Sequence, residues 1–248
     1  WLPDTYPRPH VAASVFLSVF TTKTAAYVMY RAFPEGGMWL AYLGGFMAVY
    51  GAFFALLQYD PRRLLSYHIQ AQLGYMLAGF GLATAVGEFA VVGGFAHLFN
   101  NVLYKSLLFM AVGVVVYRTG VEDIREMGGL WRVMPVTFLV YLVGAASITA
   151  VPGFNGFISK GMVLDSAHEV HNYVLLLDSG LLWWLLVLGG VGTFMSFIKL
   201  GYYVFFHGSA TLSPDDATPF QTVGMVLAAG ACVFFGVFYT QLIELMPF

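Results

Sequence analysis

Long apolar runs, each closed by charged or Gly/Pro-rich punctuation, fill almost the whole chain. A run of about 20 apolar residues is long enough to cross a bilayer as a helix. Hydrocarbon tolerates only structures that satisfy their backbone polar groups internally. The runs therefore predict an all-α polytopic membrane protein. Composition closes off the alternatives. Of the 248 residues, 59% are hydrophobic and 10% charged, with a mean hydropathy of +0.77. A soluble domain carries about 25% charged residues, so an ordinary globular enzyme is excluded. Disorder needs low hydrophobicity and high charge. The one cysteine, Cys232, lies in an apolar run, which leaves no disulfide framework, cysteine-ligated cluster or multi-thiolate zinc site. A net charge of −2 without a basic stripe offers nothing to nucleic acid. The chain opens at Trp1 without a signal-peptide pattern, which suggests a fragment or a processed product.

The punctuation predicts about seven spans, over residues 10–31, 38–58, 64–86, 89–117, 133–167, 181–206 and 220–245. The fifth is too long for one straight crossing at 1.5 Å per residue. Pro152, Gly153, Asn155 and Gly156 interrupt it, so it reads as a discontinuous helix with its break inside the protein. Arg8, Arg62, Arg63, Arg118, Arg125 and Arg132 fall on one side. Arg31 and an acidic loop from Asp165 to Asp178 fall on the other. Arginine excess marks the cytoplasmic side, which places the N-terminus in the cytoplasm and the C-terminus outside, in a cell (inner, cytoplasmic) membrane.

The basic residues are segregated by type. All seven arginines lie in loops or at span ends, whereas Lys23, Lys105, Lys160 and Lys199 all lie within apolar runs. Arginine keeps its charge at any accessible pH, but a desolvated lysine can give its proton up. A group that must alternate between charged and neutral should be a lysine, and ionisable groups inside spans mark ion pathways by default. Blander explanations exist for two of them. Lys199 is near enough to a span end for its head to snorkel to the interface, and Lys160 could cap carbonyls freed by the helix break. His97, Asn101 and Lys105 follow at i, i+4 and i+8, on one helix face. Such a row suits a hydrogen-bonded water file, with histidine as a proton relay. His68, near a span start, reads as interfacial. His168 and His171 have metal-ligand spacing but sit in the acidic loop. A faint repeat links Lys23-Thr-Ala-Ala-Tyr-Val with Lys199-Leu-Gly-Tyr-Tyr-Val on spans of opposite direction. Inverted repeats with broken helices are a transporter architecture.

Several segments carry a family likeness: Trp1-Leu-Pro-Asp, Lys23-Thr-Ala-Ala-Tyr, Asp60-Pro-Arg-Arg-Leu-Leu-Ser-Tyr, Gln72-Leu-Gly-Tyr, His97-Leu-Phe-Asn-Asn-Val-Leu-Tyr-Lys105, Asp123-Ile-Arg-Glu-Met-Gly-Gly-Leu and Pro152-Gly-Phe-Asn-Gly-Phe-Ile-Ser-Lys160. In that order they resemble the proton-conducting antiporter-like membrane subunits of respiratory complex I, group 4 hydrogenases and Mrp-type cation/proton antiporters. Tyr67-His68 and Phe154-Asn155-Gly156-Phe157 resemble most the Mrp-type D-like branch. The resemblance implies a fold of two inverted five-helix repeats, of which this chain would be the C-terminal half, helices eight to fourteen. Residues 1–31 would end a truncated first repeat, 38–206 would form the second, and 219–248 the C-terminal helix. It also implies a lysine on helix eight (Lys23), a central relay (His97, Lys105) and a terminal lysine on the broken helix (Lys160). Asn101 stands where many members have a second histidine.

The expected function is proton translocation along Lys23, His97, Asn101, Lys105 and Lys160, with Lys199 as a tuning group. The expected carrier is H+ rather than Na+, in a redox-driven pump or a cation/proton antiporter complex. No cofactor or metal is expected in this chain, which would be a non-catalytic part of a translocase. Expected partners are the lipid bilayer and other membrane subunits, one of them supplying the first half-channel. Two rivals stand beside this reading. One is a structural membrane subunit that conducts nothing. The other is a haem- or quinone-binding anchor, which needs two facing histidines.

Overall fold

The computed structural model describes residues 1–170, 180–208 and 212–244, and among them all regular structure is helical. A short turn, α1 (Leu2–Thr5), precedes α2 (Val11–Ala32) and α3 (Met38–Leu56). Next come α4 (Pro61–Gly81), a short α5 (Ala83–Val86) and the 32-residue α6 (Glu88–Thr119). The discontinuous pair is α7 (Pro135–Ile148) and α8 (Asn155–Glu169). Then α9 (Leu181–Gly201) ends in a π turn, Tyr202–Phe206, and α10 (Pro219–Val237) is followed by α11 (Tyr239–Glu244).

Local chemistry sets the ends. Asp60 caps α4, its carboxylate accepting from the backbone of Arg62 at 2.8 Å and Arg63 at 3.1 Å, with Pro61 in the first turn. Thr218 and Gln221 form a capping box on α10. Gly120 closes α6 in the left-handed conformation at φ 70°. The start of α7 is capped from far away: Asp216 accepts from Val136 N at 2.8 Å and Thr137 Oγ1 at 2.6 Å.

Among the described residues, five helices are long and apolar enough to cross a membrane: Val11–Ala32, Met38–Leu56, Glu88–Thr119, Leu181–Phe206 and Pro219–Val237. The helix α4 falls outside that group because it carries polar residues, among them Arg62, His68 and Gln72, all buried. It packs against α2, α3, α6, α8 and α9, so neighbouring helices shield it and lipid need not solvate it. The outer helices show the converse. On α2 the inward stripe is Ser14, Ser18, Thr22, Lys23 and Ala26, while Phe16, Phe20 and Val28 are exposed. Close approach uses small residues, as expected where lipid removes the hydrophobic drive for helix association. A Cβ at Gly51 of α3 would meet Ala71 N of α4 at 2.6 Å, and one at Gly79 would meet Ala90 O of α6 at 2.8 Å.

Several boundaries differ from the sequence reading. The third span divides into α4 and α5. The last stops at Val237, where Gly236 lies against Gly153 and Phe154 of the helix break. Asp165 and His168 belong to α8 rather than to a loop, and His171, Asp178 and Leu245 lie outside the described residues. The break is also less enclosed than expected. Asn155 and Gly156 are buried, but Val151, Pro152 and Gly153 are exposed. This chain alone does not cover them.

Candidate proton pathway

The break and the polar face of α6 meet. The first half-helix, α7, ends at Ile148, and Ala150 takes a left-handed φ of 61°, with Gly153 at 89°. By helix rise, α7 and α8 are about 21 Å and about 22 Å long, which puts the break midway along the pair. Its backbone is held from α6: Asn100 Nδ2 donates to Asn155 O at 2.9 Å, and Asn155 Nδ2 returns a long bond to Asn100 O at 3.5 Å. The Ile148 carbonyl left free by the break accepts from Lys160 Nζ at 2.6 Å. Lys160 therefore caps the half-helix, as its position suggested, and it also lies 4.9 Å above the Tyr75 ring.

Ser159, the residue before Lys160, joins a hydrogen-bonded cluster centred on His97. Its Nδ1 is 3.1 Å from Ser159 Oγ, and its Nε2 is 3.2 Å from Gln72 Oε1 and 3.3 Å from Tyr104 OH. Tyr104 donates to Gln72 Oε1 at 3.3 Å and accepts from Asn101 Nδ2 at 3.0 Å. With the Gln72 oxygen facing it, the ring holds its proton on Nε2 and accepts from the Ser159 hydroxyl at Nδ1. A proton arriving at Nδ1 can then leave from Nε2 on the opposite side of the ring. His97, Asn101 and Lys105 share one inward face and are all fully buried, as the spacing predicted. Lys105 Nζ donates to Leu65 O of α4 at 2.9 Å. Lys23, also buried, donates to Ser18 O at 2.7 Å within α2.

Lys199 stands apart. Its Nζ donates to Leu56 O and Gln58 O, both at 2.7 Å, closing the C-terminal end of α3. It lies 4.1 Å over the Tyr59 ring, which Arg125 covers at 4.2 Å. Lys199 is thus at the arginine-bearing end of the bundle. The likeness between the Lys23 and Lys199 segments does not extend to their surroundings, since one lysine bonds within its own helix and the other across to α3. At the same end, the Arg125 guanidinium donates to Asp123 at 2.6 Å and holds that carboxyl below the usual range.

Sequence spacing missed Gln72, Ser159, Asn100 and Tyr104. Tyr104 lies three residues after Asn101 and seven after His97, so helical periodicity alone could have found it. Gln72 and Ser159 come from α4 and α8, and no local pattern signals them. His68 was misread. It is fully buried with its ring 5.0 Å from Phe197, because α4 enters the bundle directly after its cap. The buried polar atoms lacking a protein partner concentrate on α4, α6 and α8: both His68 nitrogens, Gln72 Nε2 and the side-chain oxygens of Asn100, Asn101 and Asn155. No trio of His, Cys, Asp or Glu among the described residues is placed to hold a metal ion.

The family model described as NADH:quinone oxidoreductase/Mrp antiporter, TM, matches residues 1–185. The chain is similar to a Na(+)/H(+) antiporter protein of Bacillus subtilis (strain 168), at 34% identity over 222 residues, 83% of this chain and 28% of that protein. It is also similar to NADH-ubiquinone oxidoreductase chain 5 of Acanthamoeba castellanii, at 31% identity over 255 residues, 98% of this chain and 36% of that one. It therefore spans about a third of the length of these curated relatives. Its fold is shared with a chain of the Mrp complex from Dietzia sp. DQ12-45-1b, with a TM-score of 0.85 at 21% identity over 98% of this chain and 53% of that chain.

Proposed function

The chain belongs to the NADH:quinone oxidoreductase/Mrp antiporter membrane family, and from that premise we propose that it carries protons along the middle of the membrane within a larger complex. The observation that carries this reading is the His97 cluster. A histidine bonded on both ring nitrogens, flanked by three buried lysines, joins α4, α6 and the broken α7–α8 pair. Protons would enter near Lys23, pass His97, Asn101 and Lys105 through water, and leave by Lys160. The unpartnered polar atoms around the cluster are the lining that ordered water needs. Lys199, at the bundle end, would tune the exit electrostatically. The gathered groups are lysines, histidine and amides rather than a cage of carboxylate oxygens, so H+ suits the site better than Na+. The reading assigns no cofactor to this chain.

The parent complex is proposed to be redox-driven or of the Mrp type, like those of the relatives described above. The first half-channel, which these residues do not include, is proposed to lie elsewhere in the same protein or in another membrane subunit of the complex. Counting α4 and the α7–α8 pair as crossings gives seven, which correspond to helices eight to fourteen, with 1–31 ending the first repeat, 38–206 forming the second and 219–248 the last helix. The arginine-bearing end is proposed to face the cytoplasm, placing the N-terminus there and the C-terminus outside. The exposed break supports a neighbouring membrane subunit, because irregular backbone at membrane depth needs a protein or water-filled surround.

The test is proton translocation by the intact complex in inverted vesicles, wild type against Lys105→Ala, with assembly checked on the same sample. Lost translocation in an assembled complex is the expected result. One observation favours a second reading, a non-conducting structural subunit: each of the four lysines donates to a main-chain carbonyl. Full translocation by Lys105→Ala would establish that second reading over the first.

A further inference from the structure

We propose that His68 is a proton-relay residue that links the His97 cluster to Lys105. The inference rests on the proton-carrying reading above and adds a group to it that neither periodicity nor family likeness assigns. Along α4, the Leu65 carbonyl, His68 and Gln72 occur at i, i+3 and i+7, on one helix face. The two outer positions are engaged with α6. Leu65 O holds Lys105 Nζ at 2.9 Å, and Gln72 Oε1 holds His97 at 3.2 Å and Tyr104 at 3.3 Å. His68 is the titratable side chain between them. It is fully buried, and neither of its ring nitrogens has a protein partner.

A histidine kept for packing or for holding two helices together would be bonded at one nitrogen at least, since burying a polar atom without a partner costs as much as a lost hydrogen bond. His68 has instead both a donor and an acceptor available. From α9 it meets the Phe197 ring at 5.0 Å. The charged groups that act on it are Lys105 of α6 and Lys160 of α8. The adjoining α3 carries no charged residue, and the other titratable side chains of the cluster are His97 and Tyr104. The step balances as a proton transfer alone. An N–H bond of the Lys105 ammonium breaks, directly or through water, and one forms at the vacant imidazole nitrogen. The opposite nitrogen releases its proton toward Gln72 and His97, and the same steps in reverse carry a proton the other way.

The test compares His68→Phe, Lys105→Ala and wild type in the intact complex, by the rate of ΔpH formation in inverted vesicles, with assembly checked in each. Phenylalanine keeps a ring against Phe197 and cannot carry a proton. The expected result is an assembled His68→Phe complex that has lost at least about tenfold in rate, at the low end of what a positioned proton-transfer group supplies. A full rate in assembled His68→Phe, with Lys105→Ala inactive, overturns the role of His68 and leaves the proton-carrying reading standing. Full rates in both overturn both. Should His68→Phe fail to assemble, His68→Ala takes its place, measured with and without added imidazole. Restored translocation supports the relay, and a full rate without imidazole overturns it.

Discussion

At the scale of single residues, the site is defined by what pairs with what. His97 is held on both ring nitrogens, so removing either support should change its chemistry. Gln72→Leu leaves the Nε2 proton buried without its acceptor, a loss of about 1–3 kcal/mol. The expected outcome is a lower Tm of the purified complex together with slowed translocation. Ser159→Ala removes the donor at Nδ1 and should slow translocation with a smaller change in Tm, because a small side chain is lost. At the bundle end the Asp123–Arg125 pair lies outside the spans and its sign is clear. The carboxyl is depressed by Arg125, so the stability it contributes is complete above the unfolded value near 4 and fades as pH falls below it. Thermal melts of Arg125→Gln and wild type should separate slightly at neutral pH and converge as pH falls through the carboxyl's lowered value.

Helices and their ends set a second group of outcomes. The left-handed Ala150 terminates α7 without the glycine that such positions favour. Ala150→Gly should stabilise the complex by about 1 kcal/mol, and Ala150→Val should destabilise it, both measured as Tm shifts. Asp216 caps α7 from a loop 80 residues away in sequence, and Asp216→Ala should cost about 0.5–2 kcal/mol. The interface of α3 and α4 is built on glycine. Gly51→Leu has no space to enter and should prevent assembly, seen as loss of the chain from the purified complex. The polar α4 shows why spans of this type escape a hydropathy criterion. Its surroundings are other helices rather than lipid, so its composition reports burial and function instead of membrane contact.

For the whole molecule, the informative surface is the exposed stretch Val151–Gly153 at the depth of the helix break. A free lipid-facing break is costly, so the intact complex should cover it. Val151→Cys is expected to cross-link to a neighbouring membrane protein of the complex, and labelling by a lipid-dissolved quencher instead would place lipid there. The native Cys232 is buried and should not interfere. On orientation, the loop carrying Arg118, Arg125 and Arg132 should be cut by trypsin from the cytoplasmic face.

Much of this was legible along the chain because membrane helices announce themselves locally. Apolar runs, the break after Val151 and the shared face of His97, Asn101 and Lys105 all follow from the local pattern of one helix, and the segregation of lysine from arginine follows from the chemistry of one side chain. What required the tertiary structure was everything set by a second helix. Gln72 and Ser159 reach His97 from α4 and α8. His68, read as interfacial, is buried because α4 is central. Lys160 caps Ile148, and Lys199 closes α3 instead of joining the midline. The physical reason is range. Helical periodicity and side-chain chemistry act within a few residues and are written in sequence order, whereas hydrogen-bond partners across a bundle depend on which helices touch, at which depth and with which face.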